Sequence, residues 1–138
     1  MCIWNCPYCT NSMNKLELIN LIESLKLPKD EYYILSTGAL VLYGLKEKAR
    51  DLDLCISKEL FEDLKLKFGI KEEDKNECGF YKLNDLVEVV VNDKKDFVRD
   101  FKDDFPVQNL QNLLEFKRTM NRPKDQEDIV RIEEYLKK

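Results

Sequence analysis

Leu16, Ile19, Ile22 and Leu25, with Leu18 and Leu21 beside them, recur at helical spacing and predict a first helix from about Asn14 to Lys26. Leu27 and Pro28 end it, and Tyr32 to Ser36 then reads as a short buried strand. After Gly38, the apolar run Ala39, Leu40, Leu42 and Tyr43 predicts a short helix that stops at Gly44. Leu52, Leu54 and Ile56 alternate with Asp51, Asp53 and Cys55, the period of a strand with one apolar face. Ser57 caps a helix from Lys58 to about Phe68, with Leu60, Phe61, Leu64 and Phe68 inward and Gly69 as its stop. Glu77 to Leu83 and Leu86 to Val91 read as two antiparallel strands joined by a two-residue turn at Asn84 and Asp85. The rest reads as helical: Val107 to Met120, with Leu110, Leu113, Leu114 and Phe116 on one side, and a last helix opened by Pro123, with Ile129, Ile132 and Leu136 inward. This order predicts an α/β (α+β) fold, a small mixed sheet with helices packed against it and helices at the C-terminal end.

A chain of 138 residues fits one domain: a cysteine-rich head at 1–12, an α/β core at 13–104 and a helical tail at 105–138. At 43% hydrophobic and 36% charged residues, the composition suits a globular protein and argues against a disordered or fibrous one. Apolar stretches such as Leu86 to Val91, with Glu88 inside, fall far short of the roughly 20 residues a membrane helix needs, so no membrane partner is expected. Asn5, Pro7 and Asn11 interrupt the start of the chain, which lacks a secretory pattern, and a cytoplasmic address is expected. A net charge of −4 disfavours bulk nucleic-acid binding, although Lys117, Arg118, Arg122 and Lys124 cluster locally. The complete absence of histidine removes Ser-His and Cys-His nucleophile pairs together with the commonest metal ligand, and leaves carboxylates as the main catalytic vocabulary.

Asp51 and Asp53 stand two apart in a strand, so both side chains emerge on one face, about 7 Å apart along the backbone. Two carboxylates and a substrate triphosphate form an adequate oxygen set for magnesium. Glu88 interrupts an apolar strand where an unpaired charge is costly to bury. If that strand lies beside the Asp strand, Glu88 completes a three-carboxylate cluster, as a base for an attacking hydroxyl or as a further metal ligand. Taken singly, the aspartates also suit a solvated strand, and Glu88 an edge charge that blocks aggregation.

Ser36, Thr37 and Gly38 pass from strand into a helix start, where backbone N–H groups attract anions and the two hydroxyls add donors. A plain capped helix would use the same residue types. In order and spacing, Ile34-Leu35-Ser36-Thr37-Gly38-Ala39-Leu40, then Tyr43-Gly44-Leu45 and Arg50-Asp51-Leu52-Asp53-Leu54, resembles the polymerase-beta-like nucleotidyltransferase superfamily, in particular its minimal bacterial members. Leu114, Lys117 and Arg118, then Asn121-Arg122-Pro123-Lys124-Asp125 and Asp128-Ile129, resemble the tail of its abortive-infection toxin-like and lincosamide-transferase-like branch. The likeness spans roughly residues 14 to 135.

The resemblance implies a glycine pair at Thr37 and Gly38, metal-binding aspartates at Asp51 and Asp53 and the third acid at Glu88. Thr37 in place of a glycine, and Glu88 in place of an aspartate, depart from the pattern. The implied activity is magnesium-dependent transfer of a nucleoside monophosphate from a nucleoside triphosphate, ATP among the candidates, to an acceptor hydroxyl. In it Ser36, Thr37 and Gly38 cradle the triphosphate, Glu88 activates the acceptor, and Lys117 offsets charge in the transition state. The acceptor, whether a small molecule, a protein side chain or an RNA end, stays open, as does a homodimer that holds it. The alternative from another class is a catalytically silent nucleotide-binding or toxin–antitoxin-type module.

Cys2, Cys6 and Cys9 have a spacing that resembles radical-SAM iron–sulfur binders, and Cys6-Pro7-Tyr8-Cys9 resembles a glutaredoxin site, but neither fold fits this chain. The head reads as a reduced segment without metal. The alternative is a zinc or iron–sulfur interaction site with Cys78, or less suitably Cys55, as fourth ligand.

Overall fold

The computed structural model describes residues 12–138, so Cys2, Cys6 and Cys9, and any metal they were read to bind, lie outside the described residues. Asn14 opens α1 (Lys15–Leu25) with a reciprocal cap: its side chain accepts from the Glu17 N–H, and the Glu17 carboxylate accepts from the Asn14 N–H. β1 (Tyr32–Ile34) follows, then α2 (Ser36–Tyr43), β2 (Leu52–Ile56) and α3 (Lys58–Phe68). Ser57 caps α3 through the Leu60 N–H, as its position ahead of an apolar run implies. β3 (Tyr81–Lys82), β4 (Val87–Val91), β5 (Arg99–Lys102) and β6 (Phe105–Gln108) complete the sheet, and α4 (Leu110–Met120) and α5 (Gln126–Leu136) close the chain.

The six strands run in the order β3-β4-β2-β1-β6-β5. β2 pairs parallel with β4 and antiparallel with β1, which in turn pairs parallel with β6, so the sheet is mixed. Leu52, Leu54 and Ile56 of β2, with Val87 and Val89 of β4, pack into one apolar cluster with Leu18 and Ile22 of α1 and Leu60, Phe61 and Leu64 of α3. α2 is apolar on all sides, with Gly38 to Leu42 buried throughout, the pattern of a helix enclosed by its neighbours. Ala39, Val41 and Leu42 join the main cluster, while Leu40 packs against Leu110, Leu113 and Leu114 of α4 and Ile132 of α5.

The structure departs from the sequence expectations in several places, each with a local cause. The segment from Arg99 to Gln108, not read as strand, is the hairpin of β5 and β6. It turns at Asp103 and Asp104, whose φ values of 53° and 70° are the double left-handed conformation that hairpin twist favours. Val107 and Gln108 therefore belong to β6, and helix begins only after Asn109, whose side chain accepts from the Asn112 N–H. The α/β core accordingly extends beyond residue 104, and the helical tail starts later than expected.

β3 is also shorter than expected. The Asn76 side chain accepts from the Cys78 and Phe80 N–H groups, folding residues 76–80 into a turn around Gly79. The β3–β4 connection is wider than two residues, because Asn84 Oδ1 accepts from both Leu86 and Val87. Phe68, Phe116 and Leu136, expected inward, are exposed near the last turns of their helices.

Candidate functional site

The chain leaves β1 and enters α2 within a single residue. The Leu35 N–H donates to the Asp53 carbonyl at 2.9 Å, which ties the end of β1 to the carboxylate strand. Ser36 takes φ 52°, a left-handed conformation uncommon for a residue with a side chain. Its N–H donates to the side-chain oxygen of buried Gln108 at 3.1 Å, and Gln108 in turn donates to Asn112 at 2.7 Å. The unforeseen strand β6 thus supports the bend. Leu35, at the cap position of α2, makes no side-chain cap bond, so no side chain from that position covers the helix start.

The residue whose backbone takes the left-handed conformation that suits glycine is Ser36, one residue before the pair that the resemblance implied at Thr37 and Gly38. Gly38, expected in the triphosphate cradle, is absent from the cavity lining. A Cβ there would stand 2.9 Å from Ile34 Cγ2, so Gly38 is what lets α2 lie against β1.

Asp53 and Glu88 stand opposite one another across the parallel ladder of β2 and β4, hence on the same face of the sheet. Asp51 lies just before β2 and is exposed. Burial, then the charges of Asp51 and Glu88, push the Asp53 carboxyl up to about 6. Its Oδ1 is buried with no hydrogen-bond partner. Among the described residues no three acidic or cysteine side chains gather closely enough to hold a metal ion by themselves, so Asp51, Asp53 and Glu88 are not a preassembled cage.

Asp51, Asp53, Ser36 and Thr37 open into one cavity of about 590 Å³, the size of a small-molecule site. Its wall comes from the C-terminal helices. Lys117, on α4, lies there buried, with its ammonium 3.3 Å from Asp125 and 3.2 Å from Asp128. Lys46 reaches Asp128 at 3.3 Å, and the Arg122 guanidinium holds Asp125 through Nε at 2.7 Å. The Arg122 bonds, reinforced by Lys117, hold the Asp125 carboxyl down at about 2. Lys117, expected to offset charge in the transition state, pairs with two carboxylates, while Arg122 and Lys124 line the cavity as more open cations.

The structure brings together Ser36, Thr37, Asp51, Asp53 and Lys117; Glu88 and Gly38 are not in the cavity lining. Sequence reasoning missed Lys46, Phe80 and Met120 as lining residues, and treated Phe116 as core. Phe116 and Met120 stand one helical turn apart beside Lys117, a spacing that could have flagged them. No such signal marks Lys46 or Phe80. Comparison with family models, curated proteins and solved structures finds no match to this chain. Among the described residues, no helix is long and apolar enough to cross a membrane.

Proposed function

We propose that the chain is a magnesium-dependent nucleotidyltransferase of the polymerase-beta-like kind, moving a nucleoside monophosphate from a nucleoside triphosphate to an acceptor hydroxyl in a cytoplasmic setting. The observation that carries this is the buried, unpartnered Oδ1 of Asp53, a residue that lines one cavity together with Asp51 and the start of α2, where the cap position offers no side-chain oxygen. A carboxylate oxygen shut away from water beside two further acids is poorly placed on its own account. A hard cation with oxygen ligands relieves that burden, so the donor set fits magnesium, with Asp51 and Asp53 as its protein ligands and substrate phosphates supplying the rest. When bound, magnesium supplies neutralisation of the phosphate charge.

The chain's own residues divide the remaining work. The α2 start and the Ser36 and Thr37 hydroxyls take phosphate oxygens, and Arg122 and Lys124 add positive charge at the wall. Lys117, Asp125 and Asp128 position the helical wall. In the reaction the acceptor oxygen bonds to the α-phosphorus as the bond from that phosphorus to the α,β-bridging oxygen breaks. Pyrophosphate leaves, and the acceptor proton passes through water to a carboxylate of the acidic group, with Glu88, the neighbour of Asp53 on β4 but outside the cavity lining, as its expected final acceptor.

Calorimetry with each nucleoside triphosphate and magnesium tests the reading, combined with pyrophosphate release in the presence of labelled small-molecule, RNA and protein acceptors, this chain included. Binding that is lost in Asp51→Asn and Asp53→Asn supports it. Binding untouched by both substitutions rejects the metal role. A second reading, a nucleotide-binding module without catalysis, is favoured by the position of Glu88 outside the cavity lining and by the committed ammonium of Lys117. Magnesium-dependent binding with no pyrophosphate release from any acceptor selects it.

A further inference from the structure

We propose that Phe116, Met120 and Phe80 form a platform that stacks the nucleobase, so that the cavity binds the nucleoside as well as the triphosphate; this rests on the nucleotide reading above. Phe116 and Met120 are each 46% exposed, although both are large and apolar. These two open into the cavity that holds the aspartates, which neither Leu66 nor Val130, also exposed and apolar, lines.

The strand order places the third member. Phe80 immediately precedes β3, the strand beyond β4, while Ser36 and Thr37 follow β1 on the other side of β2. Asp53 of β2 therefore lies between an anion-attracting flank at α2 and a flank at β3 that carries Phe80, while Phe116 and Met120 open into the same cavity from α4. A ligand that spans the cavity carries negative charge at one end and a flat apolar group at the other, as a nucleotide does. An aromatic face and a polarisable thioether suit stacking on any base. No side chain among these three reads a base edge, so the platform favours ring size over base identity.

The test compares magnesium-dependent binding of ATP, CTP and inorganic triphosphate by calorimetry on the full chain. Both nucleotides are expected to bind about tenfold more tightly than inorganic triphosphate, ATP the more so. Phe116→Ala should erase most of that advantage and leave inorganic triphosphate affinity unchanged, while Phe116→Trp should keep it. Both changes sit at a half-exposed position, and an unchanged circular dichroism spectrum confirms folding. Equal affinity for nucleotides and inorganic triphosphate overturns the platform while the phosphate site stands. So does a Phe116→Ala loss shared equally by all three ligands. Absence of binding by any of them overturns the nucleotide reading itself, and the platform with it.

Discussion

Asp53 faces Glu88 across adjacent parallel strands, in register, with neither carboxylate given a cation as partner among the described residues. The folded state therefore binds a proton at Asp53 more tightly than the unfolded chain does. As far as this group is concerned, stability is fully present below pH 3.8 and is lost as pH rises through about 6. The loss, after allowance for solvent screening, is on the order of 1–2 kcal/mol. Urea denaturation of metal-free protein across this window should show it, Asp53→Asn should abolish it, and added magnesium should diminish it. A flat pH profile in the unmodified protein would contradict the environment assigned to Asp53.

Ser36 is held in a left-handed conformation at the start of α2. Glycine accepts that backbone without steric cost, although it adds freedom to the unfolded chain. Ser36→Gly should thus raise stability by about 0.5–1 kcal/mol, the residue of a strain of about 1–2 kcal/mol. A rise in thermal midpoint checks it. A fall would mean that the Ser36 side chain contributes more than its backbone costs.

Much of the site was legible because its residues obey simple periodicities. Asp51 and Asp53 stood out against the alternation of Leu52, Leu54 and Ile56, and Glu88 against a run of valines; Asp53 and Glu88 occupy neighbouring strands, with Asp51 just before the first of them. The helices α1 and α3 carry their signals at their ends, in Asn14, Ser57 and Gly69. The β5–β6 hairpin was hidden because Asp103 and Asp104 adopt a turn usually marked by glycine or asparagine, and because Val107 merges with the helical pattern of α4. The role of Gln108 under Ser36 could not be read at all, since it depends on β6 pairing with β1 across a long sequence separation. Gly38 carried a phosphate-loop signal and a packing signal that look the same in sequence, and only the distance to Ile34 separates them.

Lys117 is buried between Asp125 and Asp128, so truncating it leaves two carboxylates with less compensation than they need. Lys117→Ala should destabilise the fold on the order of 3 kcal/mol, read as a shift in urea midpoint at unchanged slope. The Asp125 carboxyl, held down at about 2, contributes stability that is present above 3.8 and lost as pH falls toward 2. Arg122→Gln should remove much of that acid sensitivity, because Arg122 is the larger cause of the shift. An acid limb unchanged in Arg122→Gln would show that the guanidinium does not hold Asp125 in solution.

Gly38 separates a packing role from a binding role within a single substitution. The added methyl of Gly38→Ala meets Ile34 Cγ2 at 2.9 Å, with Leu52 Cδ1 at 3.6 Å and Leu18 Cδ2 at 3.8 Å, so relief requires α2 to lift from the sheet or Ile34 to shift in a buried position. Overpacking of this kind costs about 1–3 kcal/mol. Because Gly38 contributes no lining to the cavity, nucleotide affinity measured well below the melting transition should change less than twofold. If instead Gly38→Ala leaves stability intact and removes triphosphate binding, phosphate reaches the backbone of Gly38 after all, and the helix start extends further into the cavity than its packing indicates.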